Sequence, residues 1–154
     1  MANLNELERP KVIDGGLAVD DRGQLTFSNE FSFKGVKRFY MVENFSTEVI
    51  RAWHGHLKEG KYVFLPSGSA IVAAVKMDDT ENPSKENEVH RFILSDRKPY
   101  VLYIPAGYAN GFRSLEENTK IIFFSTSSLE ESKGDDYRFP VDYWGGDVWE
   151  IKNR

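Results

Sequence analysis

The run Ala70-Ile71-Val72-Ala73-Ala74-Val75 is apolar at every position, so a strand formed by it has no face to offer to water. It belongs in the middle of a sheet, and the rest of the chain has to supply its neighbours. Those neighbours are short runs rich in β-branched and aromatic residues: 36–42, 49–54, 61–65, 89–94, 100–104 and 119–124. Turn formers separate them, as in Pro66-Ser67-Gly68-Ser69, Ser95-Asp96-Arg97-Lys98-Pro99 and Pro105-Ala106-Gly107. One long polar stretch, 78–87, reads as a surface loop.

Strands recurring every ~8 to 12 residues, with no capped helical period, predict an all-β sandwich or barrel, and a jelly-roll barrel suits a chain of 154 residues. The segment nearest to a helix, 127–133, is too short to shape such a fold. Leu17-Ala18-Val19 and Gln24-Leu25-Thr26-Phe27 flank the turn Asp20-Asp21-Arg22-Gly23 and read as an early hairpin. Residues 1–10 are polar and end in Pro10, which predicts a loose arm or a strand leaning on a neighbour. The tail from Asp135 to Ile151 mixes acids with Tyr137, Phe139, Tyr143, Trp144 and Trp149, and is expected to pack over the barrel. The length predicts one domain over 1–154 with its core at about 20–145.

Composition narrows the partners. Twenty-four acidic against twenty basic residues give a net charge of −4, and the basic ones are scattered, so nucleic acid is not an expected partner. No apolar stretch approaches the ~20 residues that span a bilayer, and Met1-Ala2-Asn3-Leu4-Asn5-Glu6 lacks the pattern of a signal peptide. With no cysteine, disulfides, thiolate metal sites and cysteine nucleophiles drop out, and a cytoplasmic protein is expected.

The chemistry gathers in Arg51-Ala52-Trp53-His54-Gly55-His56 and the following Lys61. On a strand His54 and His56 share a face, because side chains alternate with period two. A first-row metal site is one use of such a pair. The further ligand positions hold Gly60 or Lys61 and Asn110, leaving Glu59 as the nearby carboxylate, and a lysine ammonium beside a cation repels it. Acid–base chemistry without a metal or other cofactor uses these residues better. Arg51 can grip a phosphate, Lys61 can stabilise a developing oxyanion, and a histidine near neutrality can take a proton from carbon beside a carbonyl.

Five motifs, in order, carry a resemblance: Asp21-Arg22-Gly23; Asn44-x-Ser46; Val49-Ile50-Arg51-Ala52-Trp53-His54; Lys61-Tyr62-Val63 with Ser67-Gly68; and Ile104-Pro105-Ala106-Gly107-Tyr108-Ala109-Asn110-Gly111-Phe112. Over about residues 20–145 the chain resembles the dTDP-4-dehydrorhamnose 3,5-epimerase family of cupins. Arg51-x-x-His54-x-His56 is also similar to the 3,4-ketoisomerases of the same sugar pathways, which usually carry glutamine where Lys61 stands. The resemblance implies a metal-free, double-stranded β-helix cupin. It implies a homodimer that acts on a nucleotide-diphosphate 4-keto-6-deoxyhexose for deoxysugar and surface-polysaccharide biosynthesis. His54 is then the base, Lys61 the enolate stabiliser, and Arg51 and Arg22 the diphosphate contacts, with Asn44, His56, Asn110 and Phe123 lining the substrate site. Asp136 and Asp142 are the two candidates to orient His54. Phe123 stands where the family has its catalytic tyrosine, and Asn110 where it has a histidine, so the general acid has no assigned residue.

Overall fold

In the computed structural model, which describes residues 8–154, strands number β1 to β12 in chain order. Seven residues of the expected N-terminal arm lie outside this range. The apolar run forms β7 (Ser69–Lys76), hydrogen-bonded between β10 (Tyr108–Ser114) and β8 (Val89–Ser95). Beyond β10 the sheet continues to β5 (Ile50–His56) and β12 (Tyr137–Arg138). A second five-stranded sheet has the order β1 (Lys11–Asp14), β9 (Tyr100–Ile104), β6 (Lys61–Ser67), β11 (Lys120–Ser125), β4 (Arg38–Val42). Every pairing in both sheets is antiparallel, as a jelly-roll sandwich requires. The early hairpin forms as β2 (Gly16–Asp20) and β3 (Gly23–Phe27) and joins neither sheet.

Alternation explains why β7 is apolar throughout. Its even-numbered residues Ala70, Val72 and Ala74 point between the sheets, where they meet Val63, Leu102, Phe112, Ile121 and Phe123. Its odd-numbered residues Ile71, Ala73 and Val75 point the other way and are covered by Phe139, Trp144, Val148 and Trp149 of the C-terminal tail, with Trp53 between them. Covering each such large side chain removes it from water at a gain of about 1.5–3 kcal/mol. Polar clamps fix the tail in register: Arg91 Nε donates to the Val148 carbonyl at 2.8 Å, and Arg113 donates to the Trp149 carbonyl at 2.8 Å. The indole N–H groups of Trp53 and Trp149 both reach the Val141 carbonyl at 3.2 Å.

Three boundaries differ from the sequence reading. The turn read at 66–69 shrinks to Gly68 at φ +87°, because β6 runs on to Ser67 and β7 starts at Ser69. Residues 108–114, read only as a motif, form the central strand β10, whose small Ala109 and Gly111 weaken the usual β signature. A short helix, α1 (Leu129–Lys133), does form in the segment set aside as too short. Ser128 accepts from the Glu131 N–H while the Glu131 carboxylate accepts from the Ser128 N–H, so both ends of a capping box are present.

Candidate active site

Arg51 and His54 are three residues apart, and strict alternation would send them to opposite faces of β5. The ladder with β10 shifts between Asn110, opposite His54, and Phe112, opposite Arg51, so the two strands lose step by one residue there. Such a bulge resets the alternation, and Arg51, His54 and His56 all line one cavity of about 300 Å³. Gly111 sits at the slip, where a β-carbon would lie 2.9 Å from both the Arg51 carbonyl and the Trp149 ring.

The cavity lies between the sheets. From β5 and β10 come His54, His56 and Asn110; from the facing sheet come Lys61 on β6, Phe123 on β11, and Arg38 and Tyr40 on β4. Asp136, Arg138 and the helix residues Leu129, Ser132 and Lys133 close one side. Five cationic side chains (Arg38, Arg51, Lys61, Lys133, Arg138) against two carboxylates (Glu59, Asp136) give it a positive lining. That balance suits an anionic ligand.

Burial tunes the bases. It pushes the half-buried His54 imidazole below its ordinary 6.5; Arg138 and Lys61 push the same way and Asp136 opposes them. His56 is lowered by burial and by Lys61, against the pull of Glu59 and Asp135. Lys61 is only 6% exposed, and burial pushes its ammonium down while Glu59 opposes. Its Nζ stands 3.5 Å from Asn110 Oδ1 and 5.7 Å from the centre of the Phe123 ring. Tyr40 is half-buried, and this burial, with Glu59 adding to it, raises the phenol so that it stays protonated.

Asp135 builds the loop that carries these groups. Its carboxylate accepts the backbone N–H groups of Leu57, Lys58 and Glu59 at 2.7, 2.8 and 3.2 Å. This pins the β5–β6 turn between the histidines and Lys61. Its carbonyl accepts from His56 Nδ1.

Most of the sequence-derived site residues converge here: His54, His56, Lys61, Arg51, Asn110, Phe123 and Asp136 all line the cavity. Asp136 is tied up with Arg138 at 3.2 Å. Asp142 is not brought in: it is exposed in the tail, its carbonyl accepting the Gly145 N–H at 2.9 Å, because the chain turns away after Pro140. Arg22 also lies outside the cavity lining, at the tip of the β2–β3 hairpin, paired with Asp20 at 2.6 Å. Asn44 stands behind the site and accepts from Arg51 Nε at 2.7 Å. Sequence reasoning did not single out Tyr40, Arg38, Arg138 or Asp135. Alternation along β4 puts Arg38, Tyr40 and Val42 on one face, but which sheet that face meets depends on strand order. Among the described residues, no group of three or more His, Cys, Asp or Glu side chains could hold a metal ion, and no helix is long and apolar enough to cross a membrane.

Comparison with known proteins adds an independent line. A family model described as dTDP-4-dehydrorhamnose 3,5-epimerase matches residues 7–139. The spore coat polysaccharide biosynthesis protein SpsL of Bacillus subtilis is 36% identical over 95 residues, which take in 61% of this chain and 62% of that protein. The chain thus matches less than two thirds of this relative. The "Probable low-salt glycan biosynthesis epimerase Agl13" of Haloferax volcanii is 30% identical over 150 residues, 92% of this chain and 91% of that protein. Among solved structures, a dTDP-6-deoxy-D-glucose-3,5-epimerase from Legionella pneumophila, in complex with dTDP-4-keto-L-rhamnose, superposes with a TM-score of 0.74. It is 19% identical, over 94% of this chain and 80% of that one, and shares the fold.

Proposed function

The chain belongs to the dTDP-4-dehydrorhamnose 3,5-epimerase family, and from that premise we propose that it isomerises a nucleotide-diphosphate 4-keto-6-deoxyhexose for deoxysugar and polysaccharide or glycan biosynthesis. The observation that carries this reading is the convergence of His54, Lys61 and Tyr40, from three strands of two facing sheets, on one positively lined cavity. His54, neutral at pH 7, takes the proton from the carbon beside the C4 ketone. The buried Lys61 ammonium faces the oxygen on which charge develops, where low dielectric strengthens the attraction. Arg51, with Arg138 and Lys133, holds the diphosphate. Tyr40, on the opposite sheet, returns a proton from the other side, which inverts the carbon.

Incubation with a nucleotide-linked 4-keto-6-deoxyhexose in D₂O tests this. Deuterium is expected at C3 or C5 in the wild type and not in His54→Ala; no exchange with any such sugar overturns the reading. A ketone shift is the second reading, favoured by His54 and His56 standing side by side on one wall, where they can serve neighbouring atoms from the same face. Loss of the C3 hydrogen with deuterium appearing at C4 of a product that carries a 3-ketone identifies it.

Assembly follows the same premise. The hairpin β2–β3 leaves Val19 and Leu25 exposed, and Phe33, Phe39 and Met41 are exposed as well. A two-stranded ribbon is marginal alone, and exposed apolar surface of this kind supports a homodimer. A solution mass equal to one chain refutes it. One domain is supported by the single cluster shared between the two sheets, and a cytoplasmic location by the cysteine-free chain and the nucleotide-activated substrate.

A further inference from the structure

Glu59 is a carboxylate that the proton transfers above do not use, yet it is 3% exposed at the floor of the cavity. Four elements supply its partners. Arg38 on β4 approaches Oε1 at 3.3 Å, the Ser125 hydroxyl on β11 donates to the same oxygen, and the Ser132 hydroxyl on α1 lies 3.2 Å from Oε2. His56 Nδ1 stands 3.2 Å from Oε2.

That Nδ1 also meets the Asp135 carbonyl. It therefore faces two acceptors, a carboxylate paired with a guanidinium and a backbone oxygen, and neither has a proton to give. Nδ1 must carry the ring proton. Nε2 is then the nitrogen with a lone pair in the neutral ring, and His56 lines the cavity. The groups around the ring are Glu59 and Asp135, Lys61 from β6, His54 on its own strand, Tyr108 opposite on β10, and Arg38 acting through Glu59.

We propose that Glu59 is a positioning residue for His56: it locks the Nδ1–H tautomer, so that Nε2 takes up and returns a substrate proton while Nδ1 keeps its own. The sugar gains and loses no atom in this exchange, as an isomerisation demands. This rests on the proposed function and extends it with a second proton carrier beside His54. The carboxylate is tied to helix α1 through Ser132, so the same group joins the side of the cavity to the ring.

The test uses full-length protein labelled with ¹⁵N-histidine and needs no sugar for its first arm. Imidazole spectra of the wild type at pH 8 should show His56 protonated on Nδ1; protonation on Nε2 overturns the proposal without any variant. The second arm is Glu59→Gln, which keeps the shape and one acceptor but removes the charge. Deuterium exchange into the 4-keto sugar should slow by about tenfold or more, at the lower margin of the 10²–10⁴-fold that a positioned acid–base group contributes. The limb of the pH–rate profile that follows His56 should move to lower pH, because the carboxylate that favours the charged ring is gone. A variant that folds and keeps both rate and profile overturns the positioning role. If the wild type exchanges no sugar proton, the functional reading and the proton-carrying role both fall, while the wild-type spectrum still decides whether the tautomer is held as proposed.

Discussion

Tyr40 pairs directly with Phe123 across the β4–β11 ladder, and the two rings stack with centroids 5.0 Å apart and planes 13° from parallel. The phenol that the family resemblance would place at 123 is thus one strand away, on the same wall of the same cavity. Tyr40→Phe removes only a hydroxyl, keeps the stack, and should slow epimerisation by about 10²–10⁴-fold, the usual contribution of a positioned proton donor. Tyr40→Phe combined with Phe123→Tyr should recover part of that loss. Steady-state rates on the 4-keto sugar measure both; an unchanged rate in Tyr40→Phe assigns the acid elsewhere.

The pH dependence has a definite sign. His54 and His56 both have their protonated forms disfavoured in the folded state relative to the ordinary 6.5, by burial first and by neighbouring cations second. As a base, His54 should keep its activity as pH falls through 6.5 and lose it only below. For stability, the unfolded chain takes up protons below 6.5 that the folded chain refuses, so the midpoint of thermal unfolding should fall as pH drops beneath 6.5. Glu131, held at about 2 by Lys37 and by its cap with Ser128, adds a loss of the same sign only at more acid pH. A midpoint that rises between pH 6.5 and 5 contradicts this.

What the sequence revealed and what it hid divide along physical lines. His54, His56 and Lys61 were legible because period-two alternation and residue chemistry are local. The early hairpin and the buried nature of β7 were legible for the same reason. Arg51 reaches the cavity only through the bulge opposite Gly111, and a bulge depends on a partner strand that the local pattern does not name. Asp135 acts on residues 76 to 78 positions earlier in the chain. Its neighbour Asp136 and the exposed Asp142 look equivalent to it in composition. The helix α1 did announce itself, in Ser128 followed three residues later by Glu131, but length alone argued against it.

Asp135 should be the most sensitive carboxylate for folding around the site. It is 5% exposed and receives three backbone N–H groups of the β5–β6 turn. Asp135→Ala strands these donors, at a cost of about 1–3 kcal/mol for such unsatisfied groups. A chain of this size loses about 2–4 °C of midpoint per kcal/mol. Calorimetry should show that drop, and sugar exchange should weaken with it because the loop positions both Glu59 and Lys61. Asp142→Ala, exposed and outside the cavity, should change neither; a larger effect there than at Asp135 would reverse the assignment.

Gly111 links the fold of the C-terminal tail to the chemistry of β5. A methyl group at this position would sit closest to the Ala52 β-carbon, well inside van der Waals contact, and 2.9 Å from both the Arg51 carbonyl and the Trp149 ring. None of these neighbours yields easily: the Ala52 β-carbon and the Arg51 carbonyl are fixed to the backbone at the bulge, and Trp149 is 1% exposed within the tail. Overpacking of this kind costs about 1–3 kcal/mol, so the midpoint of urea unfolding of Gly111→Ala should fall without a change in slope. The strain falls on the residue whose parity the bulge sets, so KM for the nucleotide sugar should rise through Arg51 more than kcat falls through His54. A variant with unaltered stability and KM would mean that the two strands can regain step without the glycine, and that the bulge does not govern where Arg51 points.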